Sequence, residues 1–429
     1  MARAPFSPGA AGARALDAAD ELRNLRRQFE LPRERGRTLA YLCGHSLGLM
    51  PRAARRVVDA ELDRWATHAV DGHFPDERHG GWLDYHTQFA APLAALVGAA
   101  RGEVVAMNTL TVNLHLMLAT FFAPSSKRYK ILIERDAFSS DRYAVESHLR
   151  WHGLDPKSAL LEIGPRSGSF ELDADQFDRT LKAEGERIAL VLLPGVQYLS
   201  GERLDLAAYS GWAQAYGCRV GFDLAHAIGN VPLALHDSGA DFAVWCSYKY
   251  LNAGPGAVGG CFVHERHAEA HDLPRFAGWW GHDRARRFLM EPQFAPLRGA
   301  EGWQLSNPPI LSLAPLAASL ELFATAGLKR LRRKSERLTR YLEWLLMTEL
   351  GERVRILTPR DPARRGCHLA VQFDPPPRKA QTLTARLRAA GVVADWRQPN
   401  VLRLAPVPLY NRYRDVYDAV TALKLTLDA

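Results

Sequence analysis

Short apolar runs at residues 129–134, 189–193, 219–223, 241–245 and 259–263 alternate with segments whose apolar positions recur at helical spacing. Runs of that length predict strands, and their alternation with helices predicts an α/β chain with a parallel or mixed sheet and crossover helices. Upstream, residues 16–29 predict a helix and 38–43 a short strand. The series Ala54, Val57, Val58, Leu62, Trp65 predicts a long helix with Pro51 at its first position. Beyond Asn307-Pro308-Pro309, residues 310–326 and 329–350 read as long helices. The tail, with strand-like runs at 368–373 and 401–405 around a helix near 381–390, predicts a small α+β module. There is no internal repeat and no low-complexity linker.

Composition narrows the function classes. Of 429 residues, 47% are hydrophobic and 24% charged, as in an ordinary globular protein. The net charge of +8 invites nucleic acid or an acidic surface as partner, but 46 of the 55 basic residues are Arg, scattered without a polybasic block, which argues against nucleic acid. Five cysteines (Cys43, Cys218, Cys246, Cys261, Cys367) without a C-x-x-C pair read as reduced cytosolic thiols. No uncharged apolar stretch approaches about 18 residues. The first residues mix Arg3, Arg14, Asp17, Asp20 and Glu21 with no apolar core, so neither signal peptide nor membrane span is expected, and the location expected is cytoplasmic.

The scarcity of Lys makes Lys249 conspicuous, because it follows the apolar run from Phe242 to Tyr248. Burying an ammonium is costly unless it is paired, neutralised or chemically used, and a desolvated amine is a nucleophile toward carbonyls. A strand-end lysine reaching solvent is the alternative. Asp223 ends the run 219–223 and is followed by His226. Since ligands of open α/β sheets sit beyond the carboxyl ends of strands, Asp223, His226 and Lys249 are candidates for one crevice. If Lys249 carries pyridoxal phosphate (PLP), an ionised Asp223 against the pyridine nitrogen makes the ring an electron sink. The run 107–113, Met-Asn-Thr-Leu-Thr-Val-Asn, offers hydroxyls and N–H groups for phosphate at a helix start, as does Asp136-Ala-Phe138-Ser-Ser-Asp141, although either could simply cap a helix.

Other motifs are weaker. Gly254-Pro-Gly256-Ala-Val-Gly259 satisfies G-x-G-x-x-G, but a strand-like run follows and Trp279 stands where a ribose-binding acid belongs. Gly44-His-Ser46-Leu-Gly48 satisfies the nucleophile pattern G-x-S-x-G, but Pro51 delays the helix and no oxyanion segment precedes it. Asp76 with His79, and His264 with His267, lack metal-ligand spacing, so no metal is expected.

The blocks running from Gly221 through Leu233 and from Val244 through Gly256, together with 107–116, Gly278-Trp-Trp-Gly-His282, Leu305-Ser-Asn-Pro-Pro-Ile310 and Arg403-Leu-Ala-Pro-Val-Pro-Leu-Tyr-Asn411, resemble the kynureninases. These are PLP enzymes of fold type I, and the likeness spans residues 42–416. The resemblance implies a large domain (51–310) with a mostly parallel sheet flanked by helices, a small α+β C-terminal domain (311–429) and an arm (1–50) joining the small domain. It implies Lys249 as the lysine that bonds PLP, Asp223 on the pyridine nitrogen and His226 near the ring. Leu110 and Thr111 would line the phosphate and ring, Phe138, Ser139, Ser140 and Asp141 would flank the ring, and Tyr248 would reach phosphate and reacting centre. Trp279 and Asn307 would come from the partner of a homodimer with shared active sites. Arg403 would clamp the substrate carboxylate, and His73, Ser306 and Asn307 would face the aryl ketone.

The implied activity is hydrolysis of L-kynurenine or 3-hydroxy-L-kynurenine to L-alanine and the matching anthranilate, a step of tryptophan catabolism and NAD biosynthesis, with no nucleic acid or membrane as partner. Catalysis would fall to Lys249, Tyr248 and Asp223. The alternatives are another fold-type-I lyase, a desulfurase, or a non-catalytic PLP-binding protein; no cysteine stands at a position supporting desulfurase chemistry. His45 replaces a commoner Asn, Pro194 a smaller or hydroxylated residue, and Ser139-Ser140 a commoner Pro-Ser/Thr.

Overall fold

A computed structural model describes residues 6–76, 80–377 and 382–428. His79 and Gln381 lie outside them. Seven strands form the central sheet: β1 (Val104–Ala106), β2 (Lys130–Glu134), β3 (Leu160–Ile163), β4 (Ile188–Pro194), β5 (Arg219–Asp223), β6 (Phe242–Trp245) and β7 (Gly260–Val263), in the order β1-β7-β6-β5-β4-β2-β3. All neighbours from β3 to β6 are parallel, and β7 runs antiparallel to both β6 and β1. The mixed, mostly parallel sheet expected from the alternating runs is thus present.

The runs are continuously apolar because both faces of the sheet are covered. Along the strands, alternate residues enter opposite cores: Leu132, Val191, Leu193, Phe222 and Trp245 one, Ile131, Ile133, Leu190, Leu192 and Val244 the other. Two strands escape the sequence reading. Val104–Ala106 has only three residues, and Leu160–Ile163 is a part-exposed edge strand interrupted by Glu162, so neither gives a continuous apolar run.

A four-stranded antiparallel sheet follows, β8 (Arg355–Ile356), β9 (Leu369–Gln372), β10 (Asp395–Arg397) and β11 (Val401–Leu404), in the order β8-β9-β11-β10. It shares a separate core with Leu338, Tyr341, Leu342 and Leu345 of the helix Leu328–Leu350 and with Val416, Val420 and Leu423 of the helix Tyr413–Asp428. The helix Ile310–Ala326 instead buries Leu313, Leu316, Leu320 and Phe323 in the core of the large sheet.

The N-terminal arm departs from expectation. Instead of one helix over 16–29 there is a helix Gly9–Ala18 and a 3-10 segment Arg23–Gln28. Tertiary hydrogen bonds override helical period here. The Asp17 carboxylate accepts from the Tyr413 and Arg414 N–H groups, and Asp20 accepts from Leu22 N–H while pairing with Lys334 at 2.8 Å. The expected strand 38–43 is divided: Arg37–Thr38 pairs with Arg33–Glu34, and Ala40–Tyr41 pairs in parallel with Val392–Val393, tying the arm to the C-terminal module. Pro51 caps the helix Arg52–His68 from just outside it. Among the described residues no single helix is long and apolar enough to cross a membrane.

Candidate active site

Strand ends bring the chemistry together. At the carboxyl ends of β2, β4 and β5 stand Glu134, Pro194 and Asp223, and Tyr248 and Lys249 lie in the turn just past β6. The helices Leu110–Phe121 and Ser139–Trp151 begin at the same place. Together they enclose a cavity of about 250 Å³ lined by Leu110, Thr111, Phe138, Ser140, Asp141, Asp223, His226, Tyr248 and Lys249, with Glu134, Pro194, Val196, Tyr198 and Ala225 completing the wall. Nine of the expected residues therefore converge. Ser139 is exposed at the helix start beside it.

Lys249 is half-buried, its Nζ 5.8 Å from the centre of the Phe138 ring and 6.0 Å from that of Tyr248. Asp223 is buried, and its Oδ1 accepts the Ala225 N–H at 2.6 Å. Burial raises its carboxyl pKa, opposed by the Lys249 charge, the Ala225 N–H and a hydrogen bond with Asp141. Asp141 is driven well above the usual range, first by burial and then by the Asp223 charge. Of this pair, Asp141 holds the proton and Asp223 carries the negative charge. Burial also pushes the Glu134 carboxyl up to about 8, and its side chain meets Gln197 at 3.5 Å. Thr111 Oγ1 and Ser140 Oγ are 2.8 Å apart, so two helix N-termini present hydroxyls to one spot, an arrangement suited to an anion.

Arg403 lies one wall away. Its side chain is 1% exposed, its Nη1 donates to the Tyr198 carbonyl at 2.6 Å, and its other edge faces Asp395. The remaining expected residues are not part of this cavity. Trp279 is 42% exposed and donates from Nε1 to Asn307 Oδ1 at 3.2 Å, Ser306 is exposed, and His73 packs against Trp82 with ring centres 5.5 Å apart.

The segment flagged as a nucleophile turn has another role. Ser46 is exposed in a turn, while Gly48 N–H donates to the Tyr248 carbonyl at 2.8 Å. A Cβ on Gly48 would collide with the Lys249 carbonyl and Asn252, so glycine permits the arm to support the lysine turn. Among the described residues, Glu103, His236 and His264 bring metal-ligand atoms within 4.8 Å of one another. Those atoms already serve the protein: Glu103 Oε1 accepts from Glu265 N–H and bonds His236 Nδ1, and His264 Nδ1 accepts from Arg266 N–H.

Glu134, Val196 and Tyr198 were missed by sequence reasoning. Glu134 gave the same signal as Asp223, an acid ending a strand-like run; the other two sit in a loop with no periodic signal.

The donor set fits PLP: an amine, a charged carboxylate backed by a protonated one, two helix N-termini with hydroxyls, and buried polar atoms without partners at His226 Nδ1 and Asp141 Oδ1. Fold and site together define a fold-type-I PLP enzyme. The cysteine desulfurase of Thermococcus onnurineus NA1 superposes with a TM-score of 0.74 at 17% identity, covering 91% of this chain and 95% of that one. The cysteine desulfurase CsdA of Escherichia coli gives 0.75 at 17% identity, with 95% and 98% covered. These likenesses concern the fold. The kynureninase C-terminal domain family matches residues 331–423. A kynureninase of Xanthomonas campestris pv. campestris is 56% identical over 408 residues, 95% of this chain and 96% of that protein, and one of Xanthomonas oryzae pv. oryzae is 56% identical over 410, 96% of each. The chain belongs to the kynureninase family.

Desulfurase chemistry has no nucleophile here. All five cysteines are buried, and burial raises the thiols of Cys43 and Cys367 to about 12 and Cys218 to about 11.

Proposed function

We propose that the chain binds PLP through Lys249 and hydrolyses L-kynurenine, 3-hydroxy-L-kynurenine or both to L-alanine and the corresponding anthranilate. The observation carrying this reading is the convergence of Lys249, Asp223, Asp141 and Tyr248 on one cavity in a chain of this family. When bound, PLP supplies the sink for electrons of the bonds broken at the substrate. The protein's part is binding and proton placement. Asp223 keeps the pyridine nitrogen protonated, and Asp141 donates to Asp223. Thr111, Ser139, Ser140 and the N–H groups near Leu110 hold the phosphate, and Phe138 and His226 flank the ring. Lys249 Nζ takes the α proton, and Tyr248 Oη moves a proton as water adds to the side-chain ketone.

Arg403 receives the substrate carboxylate, a task suited to a planar donor. His73, Ser306, Asn307 and Trp279 serve the site from the second subunit of a homodimer. Exposed Trp65, Phe74, Phe276, Phe288, Leu289 and Met290 supply apolar surface for such an association. The large domain is taken as 51–310 and the small one as 311–429, although the helix Ile310–Ala326 and Leu331 still pack in the core of the large sheet and, along the helix Leu328–Leu350, the second core begins at Leu338. The reaction belongs to tryptophan catabolism in the cytoplasm.

The test is to purify the protein, record its absorbance with PLP, and measure alanine and anthranilate release from both substrates. Yellow protein with release is expected; yellow protein that turns over neither substrate would overturn the catalytic reading. Mixing chains carrying Lys249→Ala with chains carrying Asn307→Ala tests sharing between subunits. Activity returns after subunit exchange if each site draws on both chains, and does not if the sites are separate.

A further inference from the structure

Behind the Tyr198 backbone, next to the cavity, is a polar cluster, buried at His45, His226, His368 and Arg403 and part-exposed at Asp395 and Arg397, in which only Arg403 and His226 have been given roles. Asp395 on β10 and Arg403 on β11 are direct antiparallel partners, so their side chains share a face; Arg397, two residues on, shares it too. A single oxygen, Asp395 Oδ2, receives Arg403 Nε at 2.6 Å, Arg403 Nη2, and Arg397 Nε at 3.0 Å. His45 Nε2 approaches the same oxygen at 3.4 Å from the arm. Beneath lie His226 and His368, with ring centres 6.5 and 5.5 Å from that of His45. Burial holds His45 down at about 4 and puts His226 and His368 well below the usual range, so all three imidazoles are neutral. Burial opposes ionisation of Asp395, but the His45 bond and the charges of Arg403 and Arg397 outweigh it and keep the carboxylate charged.

The charge count is then simple. Two guanidinium groups face one carboxylate, which leaves one positive charge for one more anion. The Nε/Nη2 edge of Arg403 is occupied by Asp395, and Nη1 is anchored on the wall residue Tyr198, so the guanidinium plane is fixed before any substrate arrives.

We propose that Asp395 is a positioning residue for the substrate carboxylate: it fixes the plane of Arg403 and leaves, with Arg397, one net positive charge for an α-carboxylate, while His45 holds Asp395 from below. The proposal rests on Arg403 being the carboxylate clamp. It differs from a competitor role, in which Asp395 would block Arg403 and its removal would strengthen binding.

The experiment compares L-kynurenine with its α-carboxamide in wild type, Arg403→Gln, Asp395→Ala, Asp395→Asn and His45→Asn, each loaded with PLP. Loss of charge-assisted bonds of this kind predicts that wild type prefers the acid by about 100-fold in kcat/KM and that Arg403→Gln abolishes the preference. Asp395→Ala is expected to raise KM for the acid by about tenfold with kcat within about threefold, the absorbance of bound cofactor unchanged and the carboxamide unaffected. Asp395→Asn, which keeps the volume and loses the charge, should shift KM in the same direction, and His45→Asn, whose amide can still donate, by less. If Arg403→Gln leaves the preference intact, the clamp reading itself fails. If Arg403→Gln abolishes it but both Asp395 variants leave KM unchanged or lower it, the clamp stands and the positioning role is overturned. A fall in kcat and cofactor absorbance without a KM change would also overturn it, marking Asp395 as structural.

Discussion

Replacing Asp223 with Asn separates the two carboxyls of the cavity. Asp223 is buried, faces the Lys249 charge and accepts from Ala225 N–H at 2.6 Å. In the proposed reading Asp223 holds the pyridine nitrogen through a charge-assisted hydrogen bond, and losing such a bond costs about 1.5–3 kcal/mol. That corresponds to a loss in kcat/KM of roughly ten- to a hundredfold. Asp141→Asn is the matched control. Asp141 already holds the proton, so an uncharged amide mimics its native state and the loss should stay below about tenfold. The assay is steady-state alanine release from kynurenine for both variants, together with absorbance titration by PLP across pH. If Asp223→Asn stays within about threefold of wild type, or if Asp141→Asn is the more damaging, the charge has been assigned to the wrong carboxyl.

Lys249→Ala should give protein that never develops the yellow absorbance of covalently held PLP and shows no turnover; retained absorbance would mean the wrong amine was chosen. Glu134, with its carboxyl raised to about 8 by burial, binds its proton more tightly folded than unfolded, so its contribution to stability is full below pH about 4.5 and declines as pH rises through 8. Glu134→Gln should therefore gain up to a few kcal/mol over wild type at pH 9 and nothing at pH 4 in denaturant titrations, and parallel curves would refute the shift. Gly48→Ala should lower stability by about 1–3 kcal/mol through collision with the Lys249 carbonyl, read as a drop in Tm, and an unchanged Tm would show the arm yields easily. Trp245→Ala empties a fully buried core position at the strand leading to Lys249 and should cost about 3–5 kcal/mol.

Legibility followed burial. Strands β2, β4, β5, β6 and β7 were readable because a sheet covered on both faces demands continuous apolar runs, and acids closing such runs marked the ligand end of the sheet. Lys249 stood out through its rarity in an arginine-rich chain, and Asp223 through its place at a strand terminus. The arm was misread because Asp17 and Asp20 break the helix by bonding residues about 400 and about 300 positions away, and no local period records that.

By itself, then, the sequence determined five of the seven strands of the large sheet and the family, and it nominated the lysine and its carboxylate. Those rest on local pattern and motif, which are properties of contiguous residues. The tertiary structure alone decided which of two adjacent carboxyls carries the proton, that Glu134 shares their cavity, and that His45, Asp395 and Arg403 meet although they come from opposite ends of the chain. Protonation and positioning depend on burial and distance, and both arise only when remote segments pack together.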